Sequence, residues 1–289
     1  MPGSGGSPIE RKTEAVGSGR ATVIEPSRGW VRLNPAELWR YRELLGIFVL
    51  RDLALRYRQT FLGASWVILR PLLTMALFTL VFGWLVRVPS EGYPYAIFVF
   101  AALLPWTYFA NAVTSAGSSV IAASGLVSKV YFPRILIPVA AAIGGVVDLL
   151  VSVVFLLAIM PFFGVPFTAG LLAVPALFAA LFLAALGVGI LFAAVTVAYR
   201  DTGGLLAFFL QAWMYATPVI YPSSLVPERW RFALLLNPMT GLVEAFRSAF
   251  LGSPFDLAGI ARSLALAVAL LLGGVAYFNK VERSFADII

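Results

Sequence analysis

Apolar residues fall along this chain in long unbroken runs, without the strict alternation of strands. Six runs, at about 66–87, 95–114, 135–160, 171–196, 204–221 and 260–278, reach or approach the roughly 20 residues that a helix needs to cross about 30 Å of hydrocarbon. A strand barrel would show alternating segments of about 10 residues instead. The pattern predicts an all-α membrane protein with six transmembrane helices. Residues 1–33 are rich in Gly, Ser and mixed charge and hold no apolar run of signal-peptide type, which predicts a disordered tail. Residues 34–65 then form a helical entry segment, and residues 66–289 the transmembrane domain.

In the entry segment, Asn34-Pro35-Ala36-Glu37 supplies an N-cap residue, a proline at the first helical position and an acid three beyond the cap. A short helix to about Leu45, ending near Gly46, is predicted from it. Beyond it, a period of 3.6 places Leu50, Leu53, Ala54, Tyr57 and Phe61 on one face and Arg51, Asp52, Arg58 and Gln59 on the other. That is the pattern of a helix lying in the plane of the lipid headgroups. Leu55 and Leu62 interrupt the polar face and leave room for a protein contact there. Residues 222–256 break the rhythm with two apolar helical pieces, about 228–236 and 239–251, separated by Asn237-Pro238 and closed by Gly252. Each is too short to span. They lie on the outer surface or dip in and return, and a re-entrant pair is tolerated only where protein or a water-filled cavity surrounds it.

Composition sharpens the picture. The 289 residues are 61% hydrophobic and 12% charged, against about 25% charged in soluble domains. Neither cysteine nor histidine occurs, which excludes disulfides, thiolate or imidazole metal sites, Cys-His and Ser-His nucleophile pairs and histidine relays. The net charge of +7 does not form a nucleic-acid face, because eleven of the 21 Lys and Arg lie in residues 1–70. With the amino terminus inside, Lys129, Arg134, Arg200, Lys280 and Arg283 join them there. Only Arg87, Arg229, Arg231, Arg247 and Arg262 face outward. The positive-inside rule therefore predicts both termini in the cytoplasm.

The chain has no GxxxxGK[ST] phosphate loop, so energy for active transport has to come from a partner or an ion gradient. Asp148, near the middle of the third run, is the clearest intramembrane charge; it serves either a functional role or a structural hydrogen bond to a neighbouring helix or subunit. The aromatics Trp106, Tyr108, Trp213, Tyr215, Tyr221 and Trp230 belong to an interfacial belt and ordinary packing, or offer flat amphipathic contacts for sugar faces. In Ser128-Lys129-Val130-Tyr131-Phe132-Pro133-Arg134 the charges mark an interface, and Pro133 ends or offsets the preceding helix. Arg51, Arg56 and Arg58 fix orientation and meet anionic lipid.

Arg56-Tyr57-Arg58, Leu62-Gly63, Trp66, Leu69 and Pro71, then Lys129 to Arg134 with Pro138, Tyr199-Arg200-Asp201, Pro218-Val219-Ile220-Tyr221 and Asn237-Pro238-Met239 together resemble the membrane subunit of polysaccharide-exporting ABC transporters. The resemblance spans about residues 40–285 and departs from the pattern at Ser124-Gly125. It implies a homodimeric permease of the bacterial cytoplasmic membrane, with no catalytic residue or metal site of its own. Two copies of a separate ATPase would carry ATP and Mg. The substrate implied is a lipid-linked polysaccharide of O-antigen type, joined through undecaprenyl diphosphate. An ABC permease for drugs or other lipids shares the same plan. The resemblance further implies that Arg51, Arg56 and Arg58 attract the lipid diphosphate, that the six aromatics named above guide the glycan, and that Lys129, Tyr131, Tyr199, Arg200 and Asp201 lie in the loops touching the ATPase.

Overall fold

The computed structural model describes residues 39–57, 65–127, 132–199 and 201–282. Among them the regular structure is all helix, without strands, as the apolar runs predict. The elements are α1 (Arg42–Tyr57), α2 (Ser65–Phe78, continued as a π-helix over Thr79–Leu85), α3 (Tyr95–Ala122), α4 (Ser124–Val127), α5 (Leu136–Gly144), α6 (Val146–Ile159), α7 (Val174–Ala198), α8 (Thr202–Ala216), α9 (Glu228–Leu236), α10 (Pro238–Leu251) and α11 (Leu257–Val281). Five helical stretches among the described residues are long and apolar enough to cross a membrane: Ile68–Leu85, Tyr95–Ala122, Leu136–Phe163, Ala169–Ala198 and Leu257–Val281.

The segment expected to span at 204–221 is shorter than predicted. Helix α8 has 15 residues, about 22 Å at 1.5 Å per residue. Pro218 is the cause: the residue before a proline is pushed out of the helical region, and Thr217 sits at φ −101°, ψ 140°.

Helix α3 is the axis of the bundle and is buried along most of its length. It packs against α5 and α7, while α10 and α11 complete the core on the side of α7. Small residues allow the close crossings. A Cβ on Gly187 of α7 would lie 2.6 Å from the backbone nitrogen of Leu271 in α11, and one on Gly274 would lie 2.5 Å from the carbonyl of Gly187. In lipid, where water does not drive apolar helices together, such backbone approach is a principal source of helix association.

The third span is broken once. Gly145 separates α5 from α6, and the Tyr108 hydroxyl donates to the Ala142 carbonyl at 3.2 Å, beside the break. Asp148 lies just past it, in the first turn of α6 and near the middle of Leu136–Phe163, at the depth read from the sequence.

The entry segment differs from its expected form. The helix does not end at Gly46; it runs unbroken from Arg42 to Tyr57. The reason is docking: Tyr41, Leu44, Leu45, Phe48 and Val49 pack against Ala123, Val127, Phe132, Leu136, Ile137 and Ala140, which outweighs the ~1 kcal/mol helix penalty of one glycine. Phe48 meets Phe132 edge-on at 5.5 Å. Leu50 and Ala54 remain exposed on another side of the helix, so α1 has two apolar faces. Replacing Phe48 by alanine is expected to cost about 3 kcal/mol of this docking and to speed tryptic cleavage within α1. An unchanged cleavage rate would count against the contact.

Candidate functional site

The two ends of the bundle are chemically different. At one end lie α1, the carboxyl end of α3 and the start of α5. Arg134 there donates through its guanidinium to the Glu282 carbonyl at 2.6 Å, which ties α5 to the end of α11. Gly117 of α3 lies against Phe192 and Leu206, which places the turn from α7 to α8 at this end too. Tyr199 and Asp201 stand exposed on that turn, where the Thr202 hydroxyl donates to the Tyr199 carbonyl. Arg51 is exposed on α1, with its Nε and Nη2 on Oδ1 of Asp52 at 3.0 and 2.8 Å and its guanidinium 5.2 Å from the Phe48 ring centre. An anionic headgroup at Arg51 would therefore compete with Asp52. Arg56 lies in the last turn of α1. Arg58, Lys129, Tyr131 and Arg200 fall outside the described residues.

The far end is where irregular backbone enters the bundle, and it holds the polar construction that the fold needs there. Helix α8 stops at Ala216, so the segment from Thr217 to Pro222 runs without helical hydrogen bonds among apolar neighbours. Such backbone is tolerated at membrane depth only if protein groups satisfy it. Arg247 of α10 does this: its Nη2 donates to the carbonyls of Pro218 at 2.7 Å and Val219 at 3.1 Å. The Tyr95 hydroxyl donates to the next carbonyl, Ile220, at 2.7 Å. Arg247 is 5% exposed, and its guanidinium lies 3.9 Å from the ring centre of Phe98. Burial lowers its pKa to about 10, against the pull of Glu244 and Glu91, so it stays charged at neutral pH.

Asn237 is the second anchor. Its Oδ1 accepts from the Trp213 indole and from the backbone of Met239, both at 2.9 Å, and its Nδ2 donates to the Thr217 hydroxyl at 2.8 Å. One side chain thereby caps α10, with Pro238 behind it at the first helical position, and fastens the end of α8. At the other end of α10, Gly252 takes φ +75°, a left-handed cap where the sequence closes the second piece. The two short pieces read from the sequence are thus α9 and α10, and they differ in environment: α10 is almost entirely buried, whereas α9 has no buried residue.

The aromatic set divides in the same way. Trp106 and Tyr108, expected to guide a glycan, are 4% and 3% exposed. Trp106 packs against Phe109 and Trp213, and Tyr108 against Phe178, so their faces are closed by this chain's own core and neither is free to slide along a sugar. Trp213 is half-buried in the same cluster. Tyr215 and Trp230 are exposed, and the half-buried Tyr221 donates its hydroxyl to the Tyr215 carbonyl at 2.9 Å.

Arg247 and Glu244 were missed as site residues, Arg247 being counted only as an outside charge. Their signal was present: an acid and a base three apart, one helical turn, inside the apolar piece Gly241-Leu242-Val243-Glu244-Ala245-Phe246-Arg247. Glu91, on the loop before α3, adopts φ +54°, a strained value for a residue with a side chain, and accepts from the Ser224 hydroxyl at 3.3 Å. Among the described residues no group of three acids is placed to hold a metal ion.

Residues 43–251 match the model of the ABC-2 type transporter family. The chain belongs to that family. This ABC-2 chain is 26% identical over 248 residues to the O-antigen export system permease protein RfbA of Klebsiella pneumoniae, an alignment covering 86% of this chain and 95% of that protein. It is 29% identical over 256 residues to the protein of the same name from Myxococcus xanthus, covering 88% and 98%. The match runs from α1 to the end of α10, so the docked interface helix and the Arg247 anchor both lie inside the family's common region.

Proposed function

We propose that this chain is the permease of an ATP-driven exporter that carries a lipid-linked polysaccharide out across the cytoplasmic membrane. The observation that carries the reading is the family match over residues 43–251, joined to near full-length likeness to permeases named for O-antigen export. In this reading two copies of the chain form the pore and two copies of a separate ATPase drive it. The α1 end faces the cytoplasm, as the distribution of Lys and Arg supports, and both termini lie there. The apolar segment at 204–221 crosses as a sixth span, helical over α8 and irregular beyond it. Arg51, Arg56 and Arg58 attract the lipid diphosphate, since a guanidinium matches phosphate oxygens in bidentate fashion. Tyr199 and Asp201, with Lys129, Tyr131 and Arg200, meet the ATPase.

The experiment is reconstitution of the full-length chain with its ATPase in vesicles containing an undecaprenyl-diphosphate-linked glycan. Stimulated ATP hydrolysis with glycan appearing on the far side is the expected result. Stimulation by drugs or bare lipids alone, with none by the glycan lipid, would favour the alternative ABC permease. Changing Arg51, Arg56 and Arg58 together to glutamine should weaken export at unchanged membrane insertion; export at the parental rate would remove the diphosphate role.

A further inference from the structure

A cleft opens at the far end of the bundle between α9, α10 and the start of α11, with a volume of about 300 Å³. That is the lower limit for small-molecule sites, and far from the length of a polyprenyl tail. Its floor is backbone. A Cβ on Gly241 would lie 2.3 Å from the Gly259 carbonyl, so only glycine lets α10 and α11 meet there. The amide of Gly241 donates to the Ser263 hydroxyl at 3.1 Å.

Two polar groups of the lining stand out. The hydroxyl oxygen of Thr240 is buried without a hydrogen-bond partner, in a residue 8% exposed. A buried hydroxyl left unsatisfied is costly and uncommon. Glu244 lies one turn from Arg247 on the same helix; burial raises its pKa, opposed by a hydrogen bond with Ser223 and by the Arg247 charge, and its carboxylate keeps further acceptor capacity. Around these two lie Asp256, Arg231 and Arg262. Their ion pairs are long and exposed, Arg262 to Asp256 at 3.7 Å and Arg231 to Glu228 at 3.7 Å, so they hold the groups only loosely.

The charges of the lining balance, with two arginines against two acids. A phosphate or a cation would meet as much repulsion as attraction. A neutral polyol would not: each of its hydroxyls both donates and accepts, and can bridge a carboxylate to a guanidinium. Building on the export reading, we propose that this cleft binds one sugar unit of the passing glycan. Thr240 and Glu244 hold ring hydroxyls at its base, and Asp256, Arg231 and Arg262 hold them at its rim. The site lies where the chain would leave the bundle, and loosely paired rim charges suit a contact that forms and breaks repeatedly.

The test uses the full-length chain in lipid nanodiscs, titrated with a neutral hexose, a deoxyhexose and an N-acetylhexosamine by saturation-transfer NMR. At least one sugar should bind saturably. Thr240→Val and Glu244→Gln should each weaken it roughly tenfold, the equivalent of one lost hydrogen bond, and Thr240→Ser should restore it. Stability separates this from misfolding. Because folding raises the pKa of Glu244, its stabilising share is present below the unfolded value and is lost as pH rises through the folded one. Glu244→Gln should therefore keep or raise the thermal midpoint at neutral pH while losing the sugar. The proposal is overturned if no sugar binds saturably, if both variants bind as the parent does, or if inorganic phosphate competes as well as the best sugar. A parent that exports glycan, with variants that export equally well and no sugar bound in any of them, sinks the cleft alone. Sugar binding that follows the variants, in a chain that exports no glycan, upholds the cleft and sinks only the export reading.

Discussion

Methionine in place of Arg247 should lower the thermal midpoint sharply and abolish transport, because three losses fall together. The carbonyls of Pro218 and Val219 lose the donor they share, in a place water does not reach easily. Hydrogen bonds to a charged group contribute about 1.5–3 kcal/mol. The Phe98 face loses the cation lying 3.9 Å from its centre, and Glu244 loses an opposing charge. Methionine fills the stem's volume and spares the cost of burying a cation, so a net loss of about 3 kcal/mol is the reasonable expectation, the low end for breaking a buried charged contact. Lysine should fall between the two: it keeps the charge, but a single ammonium on a flexible stem cannot reproduce a planar fork stacked on a ring. Unfolding of the detergent-solubilised or nanodisc-held protein measures this. A methionine variant as stable as the parent would show that the segment after α8 holds itself.

Valine at Gly187 is the second large effect. The nearest atoms are backbone atoms of Leu270 and Leu271, at 2.6 to 2.9 Å from the position a Cβ would take. A flexible side chain could move aside, but backbone cannot, so α7 and α11 must separate along their contact. Overpacking of ordinary cores costs about 1–3 kcal/mol and occasionally more; here the upper end applies, since the lost contact is the seam between two spans. Gly274→Val should fail in the same way, as its Cβ would meet the Gly187 carbonyl at 2.5 Å. Gly273→Ala is the control, because nothing lies within 4 Å of its Cβ position. Equal midpoints for all three would refute the close-crossing argument.

The contrast between Gly187 and Gly273 also shows what a sequence of this kind conceals. Apolar runs locate spans because hydrocarbon admits only segments whose backbone bonds are internal; the third, fourth and sixth runs appear as spans close to the expected bounds, while the second, expected to end at 114, continues to Ala122. The first run appears as well, with its second half wound as a π-helix. Which face of a span meets lipid and which meets protein is not written in hydropathy, since both solvents are apolar. For that reason Trp106 and Tyr108, read as contacts for sugar, lie inside the core, and the docking face of α1 around Phe48 was not separated from its lipid face. Pro218 was visible, but its consequence depends on whether anything nearby can take the freed carbonyls. That requires the long-range approach of Arg247, 28 and 29 residues away. Asn237-Pro238 and Gly252 were legible because caps are local chemistry.

The double-faced helix α1 also sets an order of events during synthesis. Its docking surface, Ala123, Val127, Phe132, Leu136, Ile137 and Ala140, leaves the ribosome well after Phe48 does. At roughly 5–20 residues per second, the aromatic face of α1 waits several seconds with only lipid to cover it. A helix with a single apolar stripe would have to choose between the bilayer surface and its eventual partner. In the proposed orientation at the membrane surface, Leu50 and Ala54 lie on a separate face from Phe48, which lets α1 rest on lipid at once and accept the start of the third span later.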